Sequence, residues 1–147
     1  MRRTAWPTVI AASAVLAACV DDQQALQSSE PLYTMVFFAS DSTALSKRAR
    51  DQIADFAASP TGPIKTMPKA KVCVGGHSDR TGSEAVNREV AQRRADAVAK
   101  YLVELGVPQE RIVAASLGSA KPLVVTAPQT SEISNRRVEI VVGCGGG

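Results

Sequence analysis

An asparagine and an arginine seven residues apart, Asn87 and Arg94, sit where a helix should be apolar. At about 100° per residue, Val86, Val90, Val98, Tyr101, Leu102 and Leu105 fall on one half of the helical wheel. Asn87 and Arg94 come within about 20° of each other in the middle of that half. Arg88, Gln92, Asp96 and Lys100 take the opposite side, where solvent belongs. An unpaired guanidinium on a core-facing stripe is costly, so Arg94 requires a partner or a wet cleft. The nearest acidic candidate is Asp79, and Asn87 can both donate and accept hydrogen bonds. Such a group is either a structural ion pair or the lining of a small receptor for a charged ligand.

The same residue types give little purchase to catalysis. His77, the single histidine, has Ser78 and Asp79 beside it, but adjacent residues do not converge as a triad unless the chain folds sharply back. Ser116-Leu117-Gly118-Ser119 does not match a nucleophile elbow. One histidine and two distant cysteines have no metal-ligand spacing. Gly75-Gly76 precedes a turn with no Gly-Lys-Ser/Thr after it, so close backbone approach is the better reading of those glycines. A chain without catalytic residues, cofactor or metal is expected.

The N-terminus is read separately. Arg2 and Arg3 precede an apolar run over residues 5–18, interrupted by Pro7, Thr8 and Ser13 and too short to span a bilayer. This is the pattern of a secretory signal. Its end, Leu16-Ala17-Ala18-Cys19, resembles the lipobox of bacterial lipoproteins, which implies that Cys19 becomes an acylated first residue. Several acyl chains hold a protein on a membrane durably where one does not. Val20 follows in place of the aspartate that marks inner-membrane retention in enteric lipoproteins, which favours the outer membrane. The expected organisation is a signal peptide (1–18), an acylated cysteine with a polar tether (19–31) and one domain (32–147).

Processing removes Arg2 and Arg3 from the 17 basic residues, leaving 15 against 14 acidic ones and a net charge of +1. Nucleic acid is therefore not an expected partner. Of three cysteines, two remain once Cys19 is acylated, and an exported domain permits a bond between Cys73 and Cys144. Strand parity opposes it, because Cys73 alternates out of phase with Val72 and Val74 while Cys144 keeps the phase of Val138, Ile140 and Val142. The glycines around Cys144 can relax that parity, so the pairing stays open.

From residue 32 the pattern alternates between strand and helix. Residues 33–39 and 71–75 read as strands, with a helix from 46 to 58 between them, capped by Ser46 and striped by Ala49, Ile53 and Phe56. Residues 59–63 terminate it. The long helix opens at Thr81-Gly82-Ser83-Glu84, which fits a capping box, and closes at Gly106 with Pro108 beyond. A helical turn over 108–111, a strand over 112–117, a loop rich in Pro, Thr and Ser over 118–134 and a strand over 135–142 complete the chain. Strands separated by helices imply an α/β (α+β) domain, its mixed four-stranded sheet covered on one face by two main helices.

Gly76-His77-Ser78-Asp79, Gly82, the run Asn87-Arg88-Glu89-Val90-Ala91-Gln92-Arg93-Arg94-Ala95 and the run Asn135-Arg136-Arg137-Val138-Glu139-Ile140 resemble the signature of the OmpA-like peptidoglycan-binding domain. The resemblance covers about residues 33–143 and implies a β-α-β-α-β-β sandwich. It implies that Asp79 and Arg94 hold the diaminopimelate of cell-wall stem peptides, with Asn87 beside them, and that His77 is structural. In the unliganded site Asp79 and Arg94 are expected to pair with each other. Arg136 shares the parity of Val138 and points towards the helices, whereas Arg137 and Glu139 face the other way and can pair. Family members often carry an acidic residue after the aromatic that ends the first strand; here Phe38 is followed by Ala39, and Asp41 comes two places later as a substitute. Peptidoglycan is thus the expected partner, with the outer membrane held through the lipid. Lipoproteins of this resemblance also bind a periplasmic protein of the Tol system, but Val86 stands where that subgroup commonly has tyrosine.

Overall fold

The computed structural model describes residues 32–145, so the signal, Cys19 and the tether lie outside the described residues. The chain forms β1 (Tyr33–Phe37), α1 (Lys47–Ala58), α2 (Pro63–Thr66), β2 (Val72–His77), α3 (Glu84–Glu104), β3 (Ile112–Gly118) and β4 (Arg137–Val142), with 3-10 turns at Gln109–Arg111 and Ile133–Asn135. The four strands make one sheet in the order β1-β4-β2-β3. β2 and β3 run parallel on either side of the α3 crossover, and β4 runs antiparallel to both β1 and β2. This is the mixed sheet expected from the alternation.

Local signals explain most boundaries. Ser46 Oγ accepts from Ala49 N (3.2 Å) and starts α1. Ser83, not Thr81, caps α3 by accepting from Val86 N at 3.3 Å, so the capping box is not formed as expected. The Thr81 hydroxyl is drawn instead to Asp79. At the other end, Gly106 adopts φ +91° and Val107 N bonds to Leu102 O at 3.0 Å, which closes α3 in a Schellman turn. α2 is an addition to the expected elements: Pro63 lies in the segment that terminates α1, yet proline also suits the first position of a helix. β1 stops at Phe37 rather than at residue 39, although Phe38 N still bonds to Arg136 O (2.8 Å).

The core lies between the sheet and the two long helices. Val36, Val72, Val74, Val138, Ile140 and Val142 meet Ala49 and Ile53 of α1 and Ala95, Val98 and Leu102 of α3. Register places Val36 opposite Val138 and Val74 opposite Ile140, so the apolar sides of three strands coincide. The buried stripe of α3 is Asn87, Ala91, Arg94, Ala95, Val98 and Leu102. Asn87 and Arg94 lie on it as expected, but its upper edge is alanine, while Val86 is 52% exposed. The reason is Gly76: a Cβ there would sit 1.9 Å from Ala91 O, so α3 crosses β2 backbone to backbone. At that spacing only the smallest side chains fit on the inner face.

Cys73 and Cys144 are joined by a disulfide with Cα atoms 6.0 Å apart. Gly143, at φ +86°, turns the chain after β4 and overrides the strand parity that argued against the bond. The outer face of the sheet is partly covered by the segment between β3 and β4. Asn135, fully buried, holds that segment down: its Oδ1 accepts from Leu123 N (2.8 Å) and Val124 N (2.9 Å), and its Nδ2 donates to Val124 O (2.8 Å). Beneath it Arg137 pairs with Glu139 at 2.6 Å, as the parity of β4 required.

Candidate functional site

At the end of β2 nearest α3, the segment after β1, the turn between β2 and α3, and the residue before β4 converge on a pocket of about 290 Å³. Ser40, Asp41, Ser78, Asp79, Asn87, Arg94 and Arg136 supply its polar lining, and Val86 and Val90 its apolar rim. Asp79, Arg94, Asn87, Asp41 and Arg136, all marked by the sequence motifs, therefore share one cavity. Phe38, the aromatic after β1, lies beneath: the Arg94 guanidinium carbon is 5.3 Å from its ring centroid.

The pairing inside the pocket differs from expectation. Asp79 does not pair with Arg94; its Oδ2 accepts from Arg136 Nη1 at 3.0 Å and Ser131 Oγ at 3.2 Å. Its Oδ1 accepts from Thr81 Oγ1 (2.6 Å) and Thr81 N (3.3 Å). Arg136 is further fixed by donating to Ser131 Oγ (2.8 Å) and Phe38 O (3.3 Å). Burial works to raise the pKa of Asp79, but the hydrogen bonds from Thr81, Arg136 and Ser131 outweigh it and hold the carboxyl below its ordinary value. Asp79 is a carboxylate in a closed network.

Arg94 is in the opposite condition. It is 2% exposed, and its three hydrogen bonds all go to carbonyls: Nε to Ser42 O (2.9 Å), Nη1 to His77 O (3.2 Å) and Nη2 to Ala39 O (3.4 Å). Among the described residues it has no carboxylate partner. Three of its five N–H groups are engaged, leaving two for something else. Burial and the neighbouring Arg136 guanidinium lower its pKa, Asp79 and Asp41 oppose that, and an arginine remains a cation at neutral pH. Two buried guanidiniums thus face one buried carboxylate, a surplus that favours an anionic guest.

Other groups in the pocket are also uncommitted. Ser78 Oγ is buried without a hydrogen-bond partner among the described residues. Asn87 is buried, and its amide side chain makes no hydrogen bond among them. Asp41 stands exposed at the mouth with φ +53°, a backbone state that non-glycine residues seldom adopt and that recurs at ligand sites. His77 turns its ring away from the pocket, 3.6 Å from Glu139 on the outer face. Burial, then the Arg137 charge, depresses its pKa despite Glu139. Its contribution to the pocket is its carbonyl, which receives Arg94.

Sequence reasoning missed Thr81 and Ser131. Thr81 carried a local signal, an aspartate two residues before a hydroxyl in a turn, which is a common self-bonding arrangement. Ser131 carried none, being 52 residues from the carboxylate it meets.

A polar pocket of about 290 Å³ at the end of a helix-covered mixed sheet characterises this small α+β domain. The architecture matches that of the peptidoglycan-associated lipoprotein from Burkholderia pseudomallei with a TM-score of 0.65 at 29% identity, over 74% of this chain and 88% of that one. Residues 37–136 match the OmpA family, and the chain belongs to that family. The peptidoglycan-binding protein ArfA of Mycobacterium bovis is 43% identical over 79 residues, 54% of this chain and 24% of that protein. The peptidoglycan-associated lipoprotein of Legionella pneumophila is 38% identical over 78 residues, 53% of this chain and 44% of that one. The matched segment is thus less than half the length of these curated relatives.

Proposed function

We propose that this chain is an outer-membrane lipoprotein whose periplasmic domain grips the diaminopimelate of peptidoglycan stem peptides and ties membrane to wall without catalysing a reaction. The observation that carries this reading is Arg94, a buried cation in the pocket lining whose three hydrogen bonds all go to carbonyls and which has no carboxylate partner among the described residues. The free end of diaminopimelate bears a carboxylate and an ammonium on one carbon. Arg94 accepts the carboxylate through paired N–H bonds, which a planar guanidinium makes better than an ammonium does. Asp41 and the Ser78 hydroxyl are open to the ligand ammonium, while Asp79, saturated by its own donors, holds Arg136 and the pocket wall in place. The names of the three relatives, one peptidoglycan-binding and two peptidoglycan-associated, support the same reading.

Sacculi provide the test. Soluble domain should sediment with sacculi whose stems carry diaminopimelate and fail to do so with sacculi that carry lysine, which lacks the second carboxylate. Equal sedimentation with both would remove Arg94 from the recognition. The anchor rests on Cys19 and the small residues before it. Full-length Cys19→Ser should leave the membrane fraction, and a variant still bound there would contradict acylation. Confinement beside a repeating polymer keeps the local ligand concentration high, so modest intrinsic affinity suffices for attachment.

A further inference from the structure

Beside the pocket lies a second, larger depression. Asn87 and Gly82 line both. From them a groove of about 840 Å³ runs between the start of α3 and the segment after β3, with Arg80, Arg88, Ser119 and Gln129 along its sides. Its walls are built rather than loose. Gln129 Oε1 accepts from Gly82 N (2.9 Å), Gln129 N donates to Arg80 O (2.9 Å) and Ser116 Oγ donates to Arg88 O (2.6 Å). Gln129 holds φ +59°, a strained state for its residue type that these bonds maintain.

The chemistry of the groove is that of a peptide site. Arg80 makes one side-chain hydrogen bond among the described residues, Nη1 to Thr126 O at 2.7 Å, and the rest of its guanidinium is free for a ligand. Arg88 pairs with Glu84 on the exposed surface, where such a bond is easily exchanged. Two arginines against one glutamate favour a carboxylate, and the Asn87 amide offers a donor and an acceptor to a peptide backbone.

We infer that this groove is a second subsite, which takes the stem-peptide residues flanking the diaminopimelyl group and holds a stem carboxylate with Arg80 and Arg88. The inference rests on the proposed function, since the peptide reaches the groove only when its zwitterionic end occupies the pocket. A pocket of about 290 Å³ accommodates one amino-acid end, and Gly82 and Asn87, which line both depressions, give the remainder of a stem a path into the groove. The glutamyl residue before diaminopimelate is joined through its side chain, so its α-carboxylate is free for the two arginines.

Calorimetric titration of the soluble domain with two ligands separates the sites: free meso-diaminopimelate, which fills the pocket alone, and the stem tripeptide that ends in it. Wild type should bind the tripeptide at least about tenfold more tightly, the scale of one charge-assisted bidentate contact. Arg88→Gln, on the exposed surface, and Arg80→Gln should each reduce that advantage several-fold while leaving free diaminopimelate unchanged. Ser119→Trp, which fills the groove, should act in the same direction. Equal affinity of wild type for both ligands, or equal losses for both in the variants, would overturn the subsite. Binding of neither ligand would overturn the diaminopimelate reading itself, and the subsite with it.

Discussion

Arg94→Lys is expected to lower the affinity of the domain for diaminopimelate-containing stem peptide by at least about 100-fold, the cost of losing a buried bidentate ion pair. Charge is kept, so the loss reads geometry. A single ammonium cannot reach Ser42 O, His77 O and Ala39 O at once and still present two parallel N–H groups to a carboxylate. The same three bonds tie the segment after β1 to α3 and β2. A stability loss of about 1–2 kcal/mol should accompany the substitution, as one or two buried carbonyls lose their donor. Arg94→Ala would confound the two effects by also stripping the face of Phe38. Affinity of the folded lysine variant within twofold of wild type would dismiss Arg94 as the ligand's anchor.

Asp79→Asn should be the most destabilising polar substitution in the site, by about 3–5 kcal/mol, because it leaves Arg136 buried without its carboxylate and close to a second guanidinium. The asparagine cannot accept on both of its polar atoms, so bonds from Thr81 or from Arg136 and Ser131 must fail. The effect is linked to pH with a definite sign. The folded-state pKa of Asp79 is depressed, so its contribution is fully present above the unfolded value, about 3.9, and is lost as pH falls through the lower folded value. Wild type and Asp79→Asn should therefore differ in Tm by a constant amount near neutrality and converge as pH falls from about 5 to about 2. A difference that persists unchanged to the acid end would mean that the carboxylate charge is not what holds Arg136. Binding should fall as well, though through the pocket wall rather than through a lost ligand contact.

The OmpA-type architecture was legible because its determinants are local. Ser46, Ser83 and Gly106 mark helix ends with short-range hydrogen bonds, and alternation in β2 and β4 names the inward side chains. α2 was missed because Pro63 stops one helix and starts the next, and four residues carry no period. The α3 stripe was placed correctly around Asn87 and Arg94 but bounded wrongly by Val86, since hydropathy cannot reveal that Gly76 draws the helix backbone against β2. There the packing distance, not the apolar character of the side chain, decides which residues are inside.

By itself the sequence determined that a guanidinium and an asparagine must share the buried side of a helix, next to a turn bearing an aspartate, because helical periodicity is a property of residues a few places apart. Which cation the aspartate holds was decided only by tertiary structure. Arg136 lies 57 residues beyond Asp79 and reaches it because β4 inserts between β1 and β2. That pairing saturates Asp79 and leaves Arg94 with carbonyls alone. The surplus of positive charge in the pocket comes from strand order, and no local pattern encodes it.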